Sequence, residues 1–135
     1  MKSKEHAQLL EEPSLIGFIG SVDTDGMPRT VPVWYRWDGK FVHITTASSS
    51  LWVNNLIKDS RSSFCVAENG PPYQAVVMQG RVQVDDKDEA EVRRIFLRYM
   101  DAQQTEDYYA AIEYELRMVR FEPDRVMLRS SSRSR

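Results

Sequence analysis

Between residues 17 and 66, apolar and polar positions alternate in short runs rich in β-branched and aromatic residues, interrupted at Asp25-Gly26 and Asp38-Gly39. A period of two puts successive side chains on opposite faces of a strand. Aspartate-glycine between such runs is a hairpin signal, because both residues tolerate the positive φ of a tight turn. The pattern predicts strands over residues 15–23, 30–37 and 40–46. In the second, Val31, Val33, Tyr35 and Trp37 share one face, with Pro32, Trp34 and Arg36 on the other. Pro32 cannot donate to a ladder, which places that part of the strand at an edge or bulge. Gly17 and Gly20 in the first strand mark a bulge or a close approach. A serine-rich turn over 47–50 then leads to a short helix, 51–58, and a fourth strand, 62–67.

The flanking segments complete this sheet. Residues 4–12 predict an amphipathic helix presenting Leu9 and Leu10 and stopped by Pro13. A polar loop, 68–72, precedes a long strand, 73–84. Acidic residues at 85–88 suit the positive end of a helix dipole. Val92, Ile95, Phe96, Tyr99 and Met100 then recur at helical spacing, giving a helix over 89–100 with one buried face. A shorter helix is expected from Thr105 to about residue 115. Alternation returns over 116–121, Pro123-Asp124 reads as a turn, and 126–128 as a last strand. The Arg/Ser segment 129–135 has no apolar content and reads as a mobile tail. Six or seven strands with two or three short helices, nearly all links hairpin-sized, predict one mainly β domain over 1–135. Its mostly antiparallel sheet is expected to close as a small barrel.

Composition narrows the chemistry. At 135 residues, with 41% hydrophobic and 28% charged, the chain fits one globular domain with a real core. A net charge of −2 argues against a general nucleic-acid or membrane-surface binder. The single cysteine, Cys65, reads as an inert buried thiol. No secretory leader or long apolar run is evident, so the cytoplasm is the expected compartment. Two histidines and one cysteine give no metal-ligand spacing, and no metal is expected. His43 reads as a satisfied strand histidine. The turn over 47–50 could gather hydroxyls and helix N–H groups around a phosphate; the plainer reading is a solvated turn in which Ser50 caps the helix. Trp34 and Trp52 would pack in a subunit interface or border a ligand. Tyr99, Tyr108, Tyr109 and Tyr114 read as helix core and dimer surface, with one tyrosine reaching a cleft.

The succession GFIGSVDTDGMPRTVPVWYRWDGKFVHITT, a serine-rich turn, NNLIKDSRSSFCV and VMQGRVQV resembles the pyridoxamine 5′-phosphate oxidase-like flavoproteins, and most closely their small FMN- or F420-dependent members. The resemblance implies a split β-barrel working as a homodimer, with two cofactor sites in clefts between subunits. It implies that Val31, Pro32, Val33 and Tyr35 lie along the isoalloxazine ring. Thr45, Thr46, Ser48, Ser49 and Ser50 would hold the phosphate, and Gln79 and Arg81 would line the same cleft, often from the other subunit. Family members usually carry a basic residue at the position of Trp52. Its loss removes a charge-assisted contact to phosphate, for which Arg29, Arg61 or Arg81 could compensate, while the tryptophan could stack on a ring. Arg129, Arg133 and Arg135 would suit the acidic oligoglutamate tail of the deazaflavin.

The function implied is hydride transfer between FMN or F420 and a small unsaturated or carbonyl substrate. No catalytic base is assigned, the substrate's proton coming from solvent or from a cleft tyrosine such as Tyr35. Pyridoxamine 5′-phosphate oxidation itself is not expected, because its substrate-phosphate arginine and histidine constellation is missing near the C-terminus. The alternatives are a non-catalytic dimer that binds a flavin, haem or another planar ligand, and a structural dimer with an empty cleft. Partners are expected to be a second copy and a small molecule, with neither nucleic acid nor membrane.

Overall fold

A computed structural model describes residues 2–130, and within them the alternating pattern becomes seven strands and four helices. In chain order these are α1 (Lys2–Leu10), β1 (Gly17–Val22), β2 (Pro28–Val33), β3 (Tyr35–Trp37), β4 (Val42–Ala47), α2 (Leu51–Lys58), β5 (Arg61–Ala67), β6 (Gln74–Asp86), α3 (Glu89–Phe96), α4 (Ala102–Ala111) and β7 (Leu116–Ser130). All ladders are antiparallel, in one sheet ordered β2-β1-β5-β6-β7-β4-β3.

The expected second strand is in fact two. β2 pairs with β1 and β3 pairs with β4, at opposite edges of the sheet. Trp34 alone joins these edges, so the sheet must curl until they come together. No ladder links β2 to β3, and the curled sheet stays split along this seam. Pro32, exposed near the end of β2, lacks the amide donor that a closing ladder would need. At the hairpins only the glycines take positive φ, 88° at Gly26 and 99° at Gly39. The aspartates act through their side chains instead. Asp25 accepts from the Met27 amide at 3.1 Å, and Asp38 from the amides of Lys40 and Phe41 at 2.8 and 2.7 Å.

Tyr35, Ile44, Phe64, Met78 and Phe121 fill the interior, all fully buried. Leu9 and Leu10 of α1 and Val53 and Leu56 of α2 belong to the same core. A Cβ at Gly17 would collide with the Phe64 ring, which explains the glycine there. A second cluster joins Val92, Ile95 and Phe96 of α3 to Leu116 and Met118 of β7, with Trp34, Tyr99 and Met100 packed alongside. The predicted helical face is therefore buried, although the helix ends at Phe96 and Tyr99 follows in a turn.

Three expectations need correction. The last helix begins at Ala102, because Asp101 and Gln104 form a reciprocal capping box. Ser50 stands at the start of α2 but makes no side-chain cap there; its hydroxyl bonds Thr46 at 3.1 Å. Pro123-Asp124 is not a turn. β7 runs through it to Ser130, absorbing an extra residue as a bulge opposite Gln79 and Gly80. Arg129 consequently pairs with Ala75 inside the sheet rather than in a tail, and residues 131–135, with Arg133 and Arg135, lie outside those described. Among the described residues no helix is long and apolar enough to cross a membrane.

Candidate functional site

Two pockets carry the residues singled out above. The first, about 470 Å³, opens beside the seam. Pro32 and Val33 at the end of β2, Trp34, and Thr45, Thr46 and Ala47 of β4 form one side; Trp52, Phe96, Tyr108, Ile112 and Tyr114 complete it. Among the described residues no charged side chain lines it. Its aromatic wall is built by mutual packing. Trp34 stacks on Tyr99 at 4.8 Å with planes 9° apart and meets Phe96 edge-on at 5.9 Å, and Phe96 meets Tyr108 edge-on at 5.1 Å. Thr45 and Thr46 add hydroxyls, the first donating to the Arg117 carbonyl at 3.3 Å. Such a lining suits a flat, largely uncharged ring system.

The second pocket, about 600 Å³, lies on the outer surface of the sheet across β1, β2, β5, β6 and β7. Its floor is small, with Gly20, Ser62, Ser63 and Gly80, and its rim is basic, with Arg29, Arg61, Arg81 and Arg125. Arg29 is engaged by Asp23 at 3.1 Å, and Arg61 by Asp59 at 2.6 Å. The Arg29 contact draws the Asp23 carboxyl below its usual range, and the Arg61 side chain and amide hold Asp59 at about 2.

On one chain the residues expected to hold the cofactor, with Gln79 and Arg81 expected often from the other subunit, are divided between these places. Pro32, Val33, Thr45, Thr46 and Trp52 line the aromatic pocket, and Gln79 and Arg81 line the basic one. Val31 packs against the core. Tyr35 is turned wholly inward, its hydroxyl donating to the Leu10 carbonyl at 2.7 Å, and burial pushes its phenol up to about 12. Ser48 is tied to Glu115 through its amide at 2.8 Å and its hydroxyl at 3.2 Å, Ser49 is exposed, and Ser50 is bonded to Thr46. The three serines border neither pocket. Trp52 is 8% exposed, part of the core with one edge in the aromatic pocket. His43 is satisfied by Asp38 at 2.6 Å, and Cys65 is half-buried, burial pushing its thiol up.

Sequence reasoning did not place Ile16, Phe96 or Ile112 in a site, because they come from three distant segments and carry no chemical signal of their own. It also did not place Arg125. The only local signal was Pro123, which within a strand marks an edge or bulge.

The sequence profile described as "Pyridoxamine 5′-phosphate oxidase" matches residues 3–129. No curated protein matches the sequence significantly. Among solved structures, the fold is similar to that of a conserved hypothetical protein from Mycobacterium tuberculosis, with a TM-score of 0.78 and 21% identity, covering 96% of this chain and 85% of that one. A putative pyridoxamine 5′-phosphate oxidase from Listeria innocua gives a TM-score of 0.74 at 13% identity, covering 95% and 98%. An F420 reductase gives 0.65 at 20% identity, covering 89% and 94%. At these identities the structures speak for the fold, and the profile covers nearly the whole chain. With its split, curled antiparallel sheet and a match over residues 3–129, the chain belongs to the pyridoxamine 5′-phosphate oxidase family.

Proposed function

We propose that the protein is a homodimeric oxidoreductase that uses FMN or F420 to move hydride to or from a small unsaturated or carbonyl-containing substrate, and that it is not pyridoxamine 5′-phosphate oxidase itself. The observation that carries this reading is the uncharged pocket of about 470 Å³ walled by Trp34, Trp52, Phe96, Tyr108 and Tyr114 beside the backbone of Pro32 and Val33. The bound cofactor would supply the hydride chemistry. The chain's own part is to hold the ring between Pro32–Val33 and the aromatic wall, to offer the hydroxyls of Thr45 and Thr46, and to keep water out.

The dimer is part of the proposal. On one chain the two pockets share no lining residue. A second copy would bring its Gln79 and Arg81 to the first copy's Thr45 and Trp52. The ladder registers align Pro32, Phe18, Cys65, Val77 and Met127 in a row across the outer sheet surface, Phe18 43% and Met127 39% exposed. That row gives the second copy an apolar strip to cover.

The test is fluorescence titration of the purified protein with FMN and with F420 separately. Micromolar or tighter binding of one is expected, about 2- to 12-fold weaker in Tyr108→Ala, which removes an exposed aromatic wall worth about 0.5–1.5 kcal/mol. If neither cofactor binds at tens of micromolar, the reading fails. One observation favours a second reading, a dimer that carries haem or another planar ligand without turnover: among the described residues the aromatic pocket has no cation for a phosphate, with Trp52 in place of a basic residue. Tight ligand binding with no hydride transfer to any enone or carbonyl acceptor would select it.

A further inference from the structure

We infer that the basic pocket on the outer sheet surface is a binding site for a multiply charged anion such as a phosphate ester, built by Arg81 and Arg125. The device that makes it is the bulge in β7. Before the bulge the odd residues of β7 face the interior, Val119 and Phe121 both being fully buried. After it the even residues take that side, half-buried Leu128 packing on the core opposite Val76, and Val126, itself 37% exposed, pairing with buried Met78. The extra residue reverses the parity of the strand, as a one-residue slip must. Arg125, odd-numbered, therefore emerges on the outer surface directly opposite exposed Gln79, in the same pocket as Arg81.

Gly80 lets the bulge form, because a Cβ there would run into the Glu122 carbonyl of the neighbouring backbone. The small floor of Gly20, Ser62 and Ser63 leaves the guanidiniums standing over open space.

The charges within that space are unequally committed. Arg29 and Arg61 are held by Asp23 and Asp59. Arg81 makes a 3.5 Å contact to the Ser60 hydroxyl and adds its charge to the pull on Asp59 without a direct ion pair, and Arg125 has no ion pair among the described residues. Asp124, the bulged residue, is the one acidic side chain lining the pocket among those described, so one carboxylate stands against Arg81 and Arg125. Two guanidiniums facing one cavity form the donor set that phosphate oxygens take. The aromatic pocket, by contrast, has no charged side chain among the described residues to offer a phosphate. Identifying the anion as the cofactor's own phosphate rests on the flavin-type reading; the anion site does not.

The experiment is calorimetric titration of the full-length protein with inorganic pyrophosphate, for the wild type and for R81Q/R125Q, with thermal melts of both. Binding that weakens at least about tenfold in the variant at unchanged melting temperature, and weakens further with added salt, is expected. Equal affinity in the two proteins, or no binding to the wild type at millimolar pyrophosphate, overturns the inference. Titrating FMN or F420 into the pyrophosphate-loaded protein identifies the anion. Displacement assigns it to the cofactor, simultaneous binding makes it a separate ligand, and both uphold the site. Pyrophosphate binding with no affinity for either cofactor leaves the anion site standing while the flavin-type reading falls.

Discussion

Asp38 illustrates how much one side chain does here. It sits at the turn of the β3–β4 hairpin, where one carboxylate oxygen accepts two backbone amides and the other meets His43 Nε2 at 2.6 Å. Partial burial pushes its pKa up, but the hydrogen bonds from His43, Phe41 and Lys40 outweigh it and hold the group at about 2. A carboxyl whose folded pKa lies below its unfolded one contributes stability above the unfolded value, and loses it as pH falls through the folded value. The window therefore runs from about pH 4 down to about pH 2. Discounted for solvent screening, the effect is about 1–2 kcal/mol. Buried Glu91 acts in the same direction: burial would raise it, but Arg36, bonded at 2.7 and 2.8 Å, prevails and lowers it. Denaturant midpoints measured from pH 5 to pH 2 should fall steeply in the wild type and less steeply in Asp38→Asn. Parallel profiles would mean that the turn does not couple to folding.

Among the elements, α1 depends on a residue far along the chain. Arg98, just after α3, donates to the carbonyls of Leu10, Glu12 and Tyr35, and its guanidinium lies 4.6 Å from the centre of the Tyr35 ring. Amides of Glu11 and Glu12 cover the Ala7 and Leu9 carbonyls, while the Leu10 carbonyl at the end of α1 takes Arg98 and the Tyr35 hydroxyl, and a planar multi-donor cation can satisfy several carbonyls at once. Tyr99, its neighbour, donates to the Leu15 carbonyl at 2.7 Å and accepts from the Tyr35 amide at 3.2 Å. Arg98→Ala should cost about 2–4 kcal/mol, with Arg98→Lys recovering only part, since one ammonium cannot span three carbonyls. Hydrogen exchange over residues 6–12 should accelerate before that of β6. Exchange rising equally everywhere would show that Arg98 supports the whole fold rather than the docking of α1.

The dimer proposed above belongs to the scale of the whole molecule. The curled sheet buries its inner surface with its own strands and helices but leaves Phe18 and Met127 exposed on the other. Sedimentation at micromolar concentration should give a dimer, and Phe18→Asp a folded monomer with cofactor affinity lost at least about tenfold, because a charge on the strip opposes its burial. A monomeric Phe18→Asp protein that keeps full affinity would place the whole site within one chain. A monomeric wild type would remove the shared site altogether.

What the sequence determined by itself was local. Alternation located the strands, the helical spacing of Val92, Ile95 and Phe96 located a buried face, and the residues from Leu51 to Lys58 formed the helix they predict, because these signals depend on near neighbours and on which side chains avoid water. The resemblance supplied the family and named Thr45, Thr46, Trp52, Gln79 and Arg81, which line pockets, with Gln79 and Arg81 expected often from the other subunit. Only tertiary structure decided that on one chain they line two separate pockets. The break at Trp34 was invisible because an edge switch leaves the alternation intact and changes only the pairing partner. The bulge at Asp124 was invisible because Pro123-Asp124 reads equally well as a turn, and the choice depends on the partner strand β6 continuing past it. Tyr35, read as a site residue, is sealed in the core because Leu10 and Arg98, 25 and 63 residues away, supply its partners. Pairing partners across such separations leave no periodic trace in the chain, and those pairings placed the aromatic wall and the arginines.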